Sequence, residues 1–199
     1  MGFFEIFTLL TGILYIVLEI RQHSFMWIVG VLTAVAAMIV FFRQGLYASF
    51  ALNCYYFVIS FWGLWQWMRL SGIKSQSETP SDSVIVRPLG RDIIIYSAVI
   101  FVAGTVGLGF VARWLGDPMG WLDVSVAVLS AIATWWLGRC HNEQWILWIF
   151  ADGLSTVLCA RSALSGNPSM WWMAILYIAY TLSAFYGLYY WKKHAQEVL

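Results

Sequence analysis

An all-α integral membrane protein, with seven transmembrane helices arranged as two parallel three-helix repeats joined by a linker helix, is the fold class the sequence predicts. Three observations lead there. Of 199 residues, 61% are hydrophobic and only 11% charged, which leaves too little polar surface to cover a water-soluble globule of this length. The mean hydropathy of +0.75 is spread along nearly the whole chain rather than confined to one anchor. The chain also divides into seven stretches near the ~20 apolar residues that a helix needs to cross the hydrocarbon core.

These spans are expected at 3–20, 24–42, 47–68, 93–112, 122–138, 144–164 and 171–191. The first, "MGFFEIFTLLTGILYIVLEI", has no basic n-region and no small-residue cleavage site, and it carries Glu5 and Glu19. It therefore reads as a retained span rather than a signal peptide. Its sixth residue is Ile where a myristoylation signal wants Ser or Thr. The hydrophilic interval 69–92, "RLSGIKSQSETPSDSVIVRPLGRD", reads as a loop from its Ser, Pro and Gly content and its lack of periodicity. The expected organisation is a first repeat over 1–69, a cytoplasmic loop and linker helix over 70–120, and a second repeat with a short cytoplasmic tail over 121–199.

Seven spans put the termini on opposite sides and sort the basic residues. One side receives Arg43, Arg113 and Arg161; the other receives Arg21, Arg69, Lys74, Arg87, Arg91, Arg139, Lys192 and Lys193. By the positive-inside rule the richer side is cytoplasmic, so the N-terminus is expected outside and the C-terminus inside. An internal repeat supports the same layout. "RQHSFMWIVG…FRQGLY…FWGLWQWMR" resembles "RCHNEQWILWIF…ALSGNP…FYGLYYWKK", with Trp27 and Gly45 matched to Trp148 and Gly166 at a spacing of 121. Gly63 and Trp67 match Gly187 and Trp191 at 124, which needs one short insertion near Asn167. Three spans, one linker and three more give a parallel repeat, and transporters built this way bind substrate between the repeats.

Several function classes fall away. A net charge of +1 offers no basic face to a nucleic acid. His23, His141 and His194 all lie at span ends or in the tail, so no intramembrane pair exists for a haem or a metal. Cys54, Cys140 and Cys159 have no paired spacing and read as small packing residues. Neither a Walker A sequence nor HExxH or GxSxG occurs, so no enzyme activity, no cofactor and no catalytic residue are expected.

One carboxylate stands out. In "EQWILWIFADGLSTVL", Trp145, Trp148 and Asp152 sit at i, i+3 and i+7 and share a helix face. An Asp at the centre of a span costs roughly 2.5–3.5 kcal/mol on insertion scales, so it should face the bundle, a partner or a substrate. The competing structural roles are a protonated acid, a cap at a break near Gly153, or a pair with Arg161. Two indoles beside a carboxylate suit a flat, positively charged heteroaromatic guest; Trp145, near the start of its span, also fits an interfacial anchor. Asn53, Tyr56 and Ser60 on the third span, and Tyr177, Tyr180 and Thr181 on the seventh, recur at helical spacing. They suit a sugar's hydroxyls or the edge of a base, and equally hydrogen bonds between helices. Trp62, Trp65 and Trp67 before Arg69 read as an interfacial belt.

"GLYASFALNCYYFVISFWGLWQWMR" followed by "NEQWILWIFADGLSTVL" resembles the PnuC family of bacterial vitamin transporters. The resemblance covers 11–70 and 121–192 and is most specific at Glu143, Trp145 and Trp148, at Leu46 to Ser49, and at the span end from Gly63 to Arg69. It implies a three-one-three helix arrangement like that of the SWEET sugar transporters, in a bacterial inner membrane. It also implies import of nicotinamide riboside by facilitated diffusion, with trapping by a cytoplasmic kinase. Trp145, Trp148, Asp152, Asn53, Tyr56, Tyr177 and Tyr180 are the expected substrate-binding residues. Family members that carry nicotinamide riboside commonly have Asn where this chain has Asp152, which keeps thiamine, another cationic vitamin, as the alternative substrate. The expected partners are thus a small cationic vitamin precursor and the lipid bilayer, with a homo-oligomer left open. From other classes, a non-transporting scaffold or accessory subunit and a proton-coupled transporter that titrates Asp152 are the competing readings.

Overall fold

The computed structural model describes residues 3–43, 47–76, 84–114, 121–166, 168 and 170–197. Among them are seven helices: α1 (Phe3–Ile20), α2 (Phe25–Arg43), α3 (Tyr47–Gln76), α4 (Arg91–Trp114), α5 (Trp121–Gly138), α6 (Gln144–Leu164) and α7 (Met170–His194). The all-helical membrane fold is the one expected. Most boundaries fall within two or three residues of the spans read from hydropathy, because a bilayer demands long apolar runs and charged residues mark their ends. Four helices are long and apolar enough on their own to span a bilayer among the described residues, namely Arg91–Val111, Trp121–Gly138, Gln144–Leu164 and Met173–His194.

The interval 69–92 departs from the expected loop in two ways. Helix α3 continues through "RLSGIKSQ" to Gln76, and its 30 residues make it about 45 Å long, well beyond a hydrocarbon core of about 30 Å. The first turns past Trp67 therefore run on as polar helix. Beyond it, strand β1 (Val84–Val86) pairs in parallel with strand β2 (Ala195–Glu197) of the C-terminal tail. Hydropathy carries no sign of either, since a three-residue pair more than a hundred positions apart is specified by the partner's backbone rather than by local periodicity.

The chain divides into two compact units. The first comprises 1–87, 134–142 and 190–199; the second comprises 88–133 and 143–189. In the first unit α2 packs against both α1 and α3. Its core holds Trp27, Trp67 and Trp191. Trp27 meets Trp67 edge-on with centroids 5.5 Å apart, and Trp67 meets Trp191 at 6.5 Å. Two indole hydrogen bonds tie helix ends together there. Trp67 Nε1 donates to the Leu137 carbonyl (3.3 Å), and Trp191 Nε1 donates to the Ile20 carbonyl (3.0 Å). The third helix of each triplet thus seals the last carbonyls of the other triplet's first helix, carbonyls that a helix cannot satisfy by itself.

Strand β1 is held in the same unit. Gln22 accepts from Ile85 N–H and donates to the Ile85 carbonyl, both at 2.7 Å. Arg87 N–H donates to the Cys140 carbonyl at 3.0 Å, and His141 Nδ1 lies 3.1 Å from the Arg87 carbonyl. Gln22 and Cys140 are the two non-glycine residues with positive φ among the described residues, at 49° and 62°. They stand 118 positions apart, one in each triplet, at the turn between its first and second helices. The backbone therefore repeats a costly left-handed residue at corresponding places.

The repeat also recurs in packing. A Cβ on Gly63 would stand 2.5 Å from the Trp27 ring, and one on Gly187 would stand 2.6 Å from the Trp145 ring. Each triplet thus seats a tryptophan from its second helix on a glycine of its third. This sets the register: Trp27 corresponds to Trp145, at 118, and not to Trp148 at 121. The sequence pairing went astray because the second triplet offers two tryptophans three apart, and only packing separates them. Gly45, Leu46 and Asn167, which entered the sequence alignment and motif, lie outside the described residues.

The second unit gathers α4, most of α5, α6 and most of α7. Trp121 of α5 closes over Gly109 of α4 and meets Phe110 edge-on at 5.8 Å. Helix α4 leaves Ile95, Val99, Val102 and Phe110 exposed, an apolar surface suited to lipid.

Candidate substrate-binding site

The second unit contains five of the seven candidate residues, namely Trp145, Trp148, Asp152, Tyr177 and Tyr180. Asp152 lies half-buried in the middle of α6. Tyr177 and Tyr180 of α7 are within electrostatic reach of its carboxylate. Their rings meet edge-on, 6.1 Å apart at 89°. No cation among the described residues acts on Asp152. The alternative of a pair with Arg161 is not made; Arg161 is exposed in the last turns of α6. Asp152 does not break the helix either, because α6 continues unbroken to Leu164.

Helical spacing sets Trp148 four residues before Asp152 on one stripe. Its indole N–H is buried and has no hydrogen-bond partner among the described residues. A buried donor left unpaired costs free energy, so such groups in a mainly apolar protein point to a ligand or to water. Trp145 differs. It is 2% exposed and seated on Gly187, the position that Trp27 holds on Gly63 in the other triplet. It shapes the helix pair that carries the site.

Asn53 and Tyr56 belong to the first unit, on α3. Tyr55 and Tyr56 have centroids 5.8 Å apart, and both lie within electrostatic reach of Tyr15 on α1, as does Glu19. Ser60 donates to the Tyr56 carbonyl at 2.7 Å and is spent within its own helix. Thr181 is likewise bonded to the Tyr177 carbonyl at 2.8 Å.

Several buried polar residues lie outside the expected set. Glu19 is 3% exposed, and Tyr15 packs near Gly30 and Ser60. More telling are Glu143 and Gln144 at the start of α6. Gln144 is 0% exposed, and neither Oε1 nor Nε2 has a partner among the described residues. Glu143 Oε2 is also buried and unpartnered, and the side chain does not cap α6 although it stands at the cap position. The signal was present: Gln144, Trp148 and Asp152 are spaced i, i+4 and i+8, a single stripe on the helix. Three polar groups without protein partners, followed by a carboxylate without a cation, form a surface able to hold a molecule that is cationic at one end and rich in hydrogen-bonding groups. No group of three or more metal-ligating side chains occurs among the described residues.

Known proteins resemble this chain over most of its length. The family model described as nicotinamide mononucleotide transporter matches residues 2–193. The chain is 23% identical to the nicotinamide riboside transporter PnuC of Neisseria mucosa, covering 92% of this chain and 69% of that one. To the protein of the same name from Escherichia coli it is 25% identical, covering 94% of this chain and 84% of the relative. Among solved structures, the crystal structure of the vitamin B3 transporter PnuC superposes with a TM-score of 0.71 at 22% identity, over 94% of this chain and 79% of that one. That likeness concerns the fold. The relatives are transporters by name and not enzymes. With a family model matched over nearly its whole length, this multi-pass membrane protein belongs to the nicotinamide mononucleotide transporter family.

Proposed function

We propose that the protein imports nicotinamide riboside across the bacterial inner membrane by facilitated diffusion, with the product trapped by cytoplasmic phosphorylation. The observation that carries this reading is Asp152: a carboxylate in the middle of a membrane helix, without a cation, beside the unpaired indole of Trp148 and the rings of Tyr177 and Tyr180. A pyridinium is flat and permanently positive. It stacks on aromatic faces and neutralises the carboxylate, while its carboxamide and ribose offer hydrogen-bonding partners to the unpaired polar groups. Trp145, seated on Gly187, backs this surface. The names of the relatives support the choice of substrate.

A carrier needs no energy source of its own when phosphorylation removes the product, which accords with the absence of a Walker A sequence. For topology, the basic-rich ends support a cytoplasmic C-terminus. The ends of α1, α3, α5 and α7 meet in the first unit, bringing Arg21, Arg69, Arg139 and Lys192 to one end of it.

Binding to the purified protein tests the substrate. Nicotinamide riboside is expected to raise the melting temperature and to drive saturable uptake into proteoliposomes, and Asp152→Ala is expected to weaken it at least tenfold. An absence of response in the unmodified protein refutes the reading. Thiamine is the second reading, favoured by Asp152 itself, since a carboxylate suits a thiazolium as well as a pyridinium. Direct competition between the two ligands decides between them.

A further inference from the structure

We infer that Gln144 is a specificity-determining residue whose side-chain amide reads the primary carboxamide of the substrate, so that the pocket selects carboxamide-bearing pyridinium ribosides. This rests on the cationic-riboside reading above and adds to it which end of the ligand is read, and by what.

The internal repeat supplies the reason to look at Gln144. The positive-φ residues Gln22 and Cys140 and the glycine-seated Trp27 and Trp145 set the two triplets in register at 118. In that register Gln144 corresponds to Met26. Both are 0% exposed. The fold therefore asks for a long, unbranched, fully buried side chain at this place, and the first triplet meets the demand with a thioether that needs no hydrogen bond. The second triplet installs an isosteric amide and gives it no protein partner: Oε1 and Nε2 are both buried and unpaired among the described residues. Burying an amide in this way is unfavourable, and removing it would cost the fold nothing that Met26 does not already provide. A group that the fold does not need and does not satisfy is placed there for a ligand.

Chemistry narrows what the ligand presents. An amide carries one acceptor and two donors side by side, and the group complementary to both at once is another amide, joined by two antiparallel N–H···O=C bonds. A carboxylate in that place would accept from Nε2 but set its second oxygen against Oε1. Gln144, Trp148 and Asp152 follow one stripe, with about 12 Å of helix rise from first to last. A nucleoside lying along the stripe reaches both ends. Discrimination by hydrogen bonds to a buried polar group is steep, because the wrong ligand leaves that group unpaired.

The test uses Gln144→Met, which copies the first triplet, and two ligands: nicotinamide riboside and the N-ribosylpyridinium that lacks the carboxamide. Unmodified protein is expected to bind nicotinamide riboside at least tenfold more tightly. In Gln144→Met that preference is expected to collapse to within about twofold, with affinity for the carboxamide-free ligand unchanged and the melting temperature without ligand no lower than that of the unmodified protein. A preference that survives the substitution overturns the inference and leaves the proposed substrate class standing. A lower melting temperature without ligand also overturns it, because the amide would then serve the fold. If the unmodified protein binds neither pyridinium, the riboside reading fails and the inference with it.

Discussion

Replacing Gly187 by Ala puts a methyl group where the Trp145 ring already lies. The added Cβ would stand 2.6, 2.7 and 2.7 Å from three carbons of that ring. Carbon contacts are optimal at about 3.5–4.0 Å, so the ring or the helix has to move by about 1 Å. Trp145 is 2% exposed, so the ring is enclosed by protein and its displacement disturbs its neighbours. Overpacking of this kind costs about 1–3 kcal/mol, against which a glycine-to-alanine change inside a helix returns about 1 kcal/mol. Gly107 of α4 provides the control, since a Cβ there meets nothing within 4 Å and only the propensity gain applies. The two variants should therefore differ by about 1–3 kcal/mol, which for a chain of this size is about 2–12 °C in melting temperature. Thermal unfolding in detergent, followed by tryptophan fluorescence, reads the difference. Gly63→Ala, facing Trp27 at 2.5 Å, should behave like Gly187→Ala. If Gly187→Ala and Gly63→Ala melt no lower than Gly107→Ala, the tryptophan-on-glycine seat is not what holds the helices of each triplet together.

Two further outcomes follow from the same packing. Trp191→Phe removes the bond to the Ile20 carbonyl and should cost about 1–3 kcal/mol through an acceptor left unpaired, visible as a lower melting temperature; stability equal to that of the unmodified protein would show that the carbonyl is satisfied otherwise. Cys140, at 0% exposure, should resist maleimide in the folded protein and react only on unfolding, so labelling faster than unfolding contradicts its placement in the turn after α5.

Much of the fold was legible because the bilayer leaves few choices. Spans such as 144–164 and 171–191 are fixed by length and hydropathy, and the helices α6 and α7 follow them. The extension of α3 and the pairing of β1 with β2 were not legible. Polar helix carries no hydropathy signal, and a short strand pair depends on which backbone happens to lie beside it. Of the candidate residues, Trp145, Trp148, Asp152, Tyr177 and Tyr180 stand out by helical spacing, and all five lie in the second unit. The packing of Trp145 and Gln144 could not be read in the same way. Whether a tryptophan sits on a glycine, and whether an amide has a partner, are properties of the packed chain and leave no trace in periodicity.

The bond from Trp191 to Ile20 spans 171 residues. During synthesis the first helix emerges about 170 residues before the indole that covers its final carbonyl. The nascent chain thus carries an open acceptor until residue 191 has been made, and the parallel strand at Ala195–Glu197 arrives later still. A product cut short before residue 191 cannot complete this closure, and its first helix keeps an unsealed end.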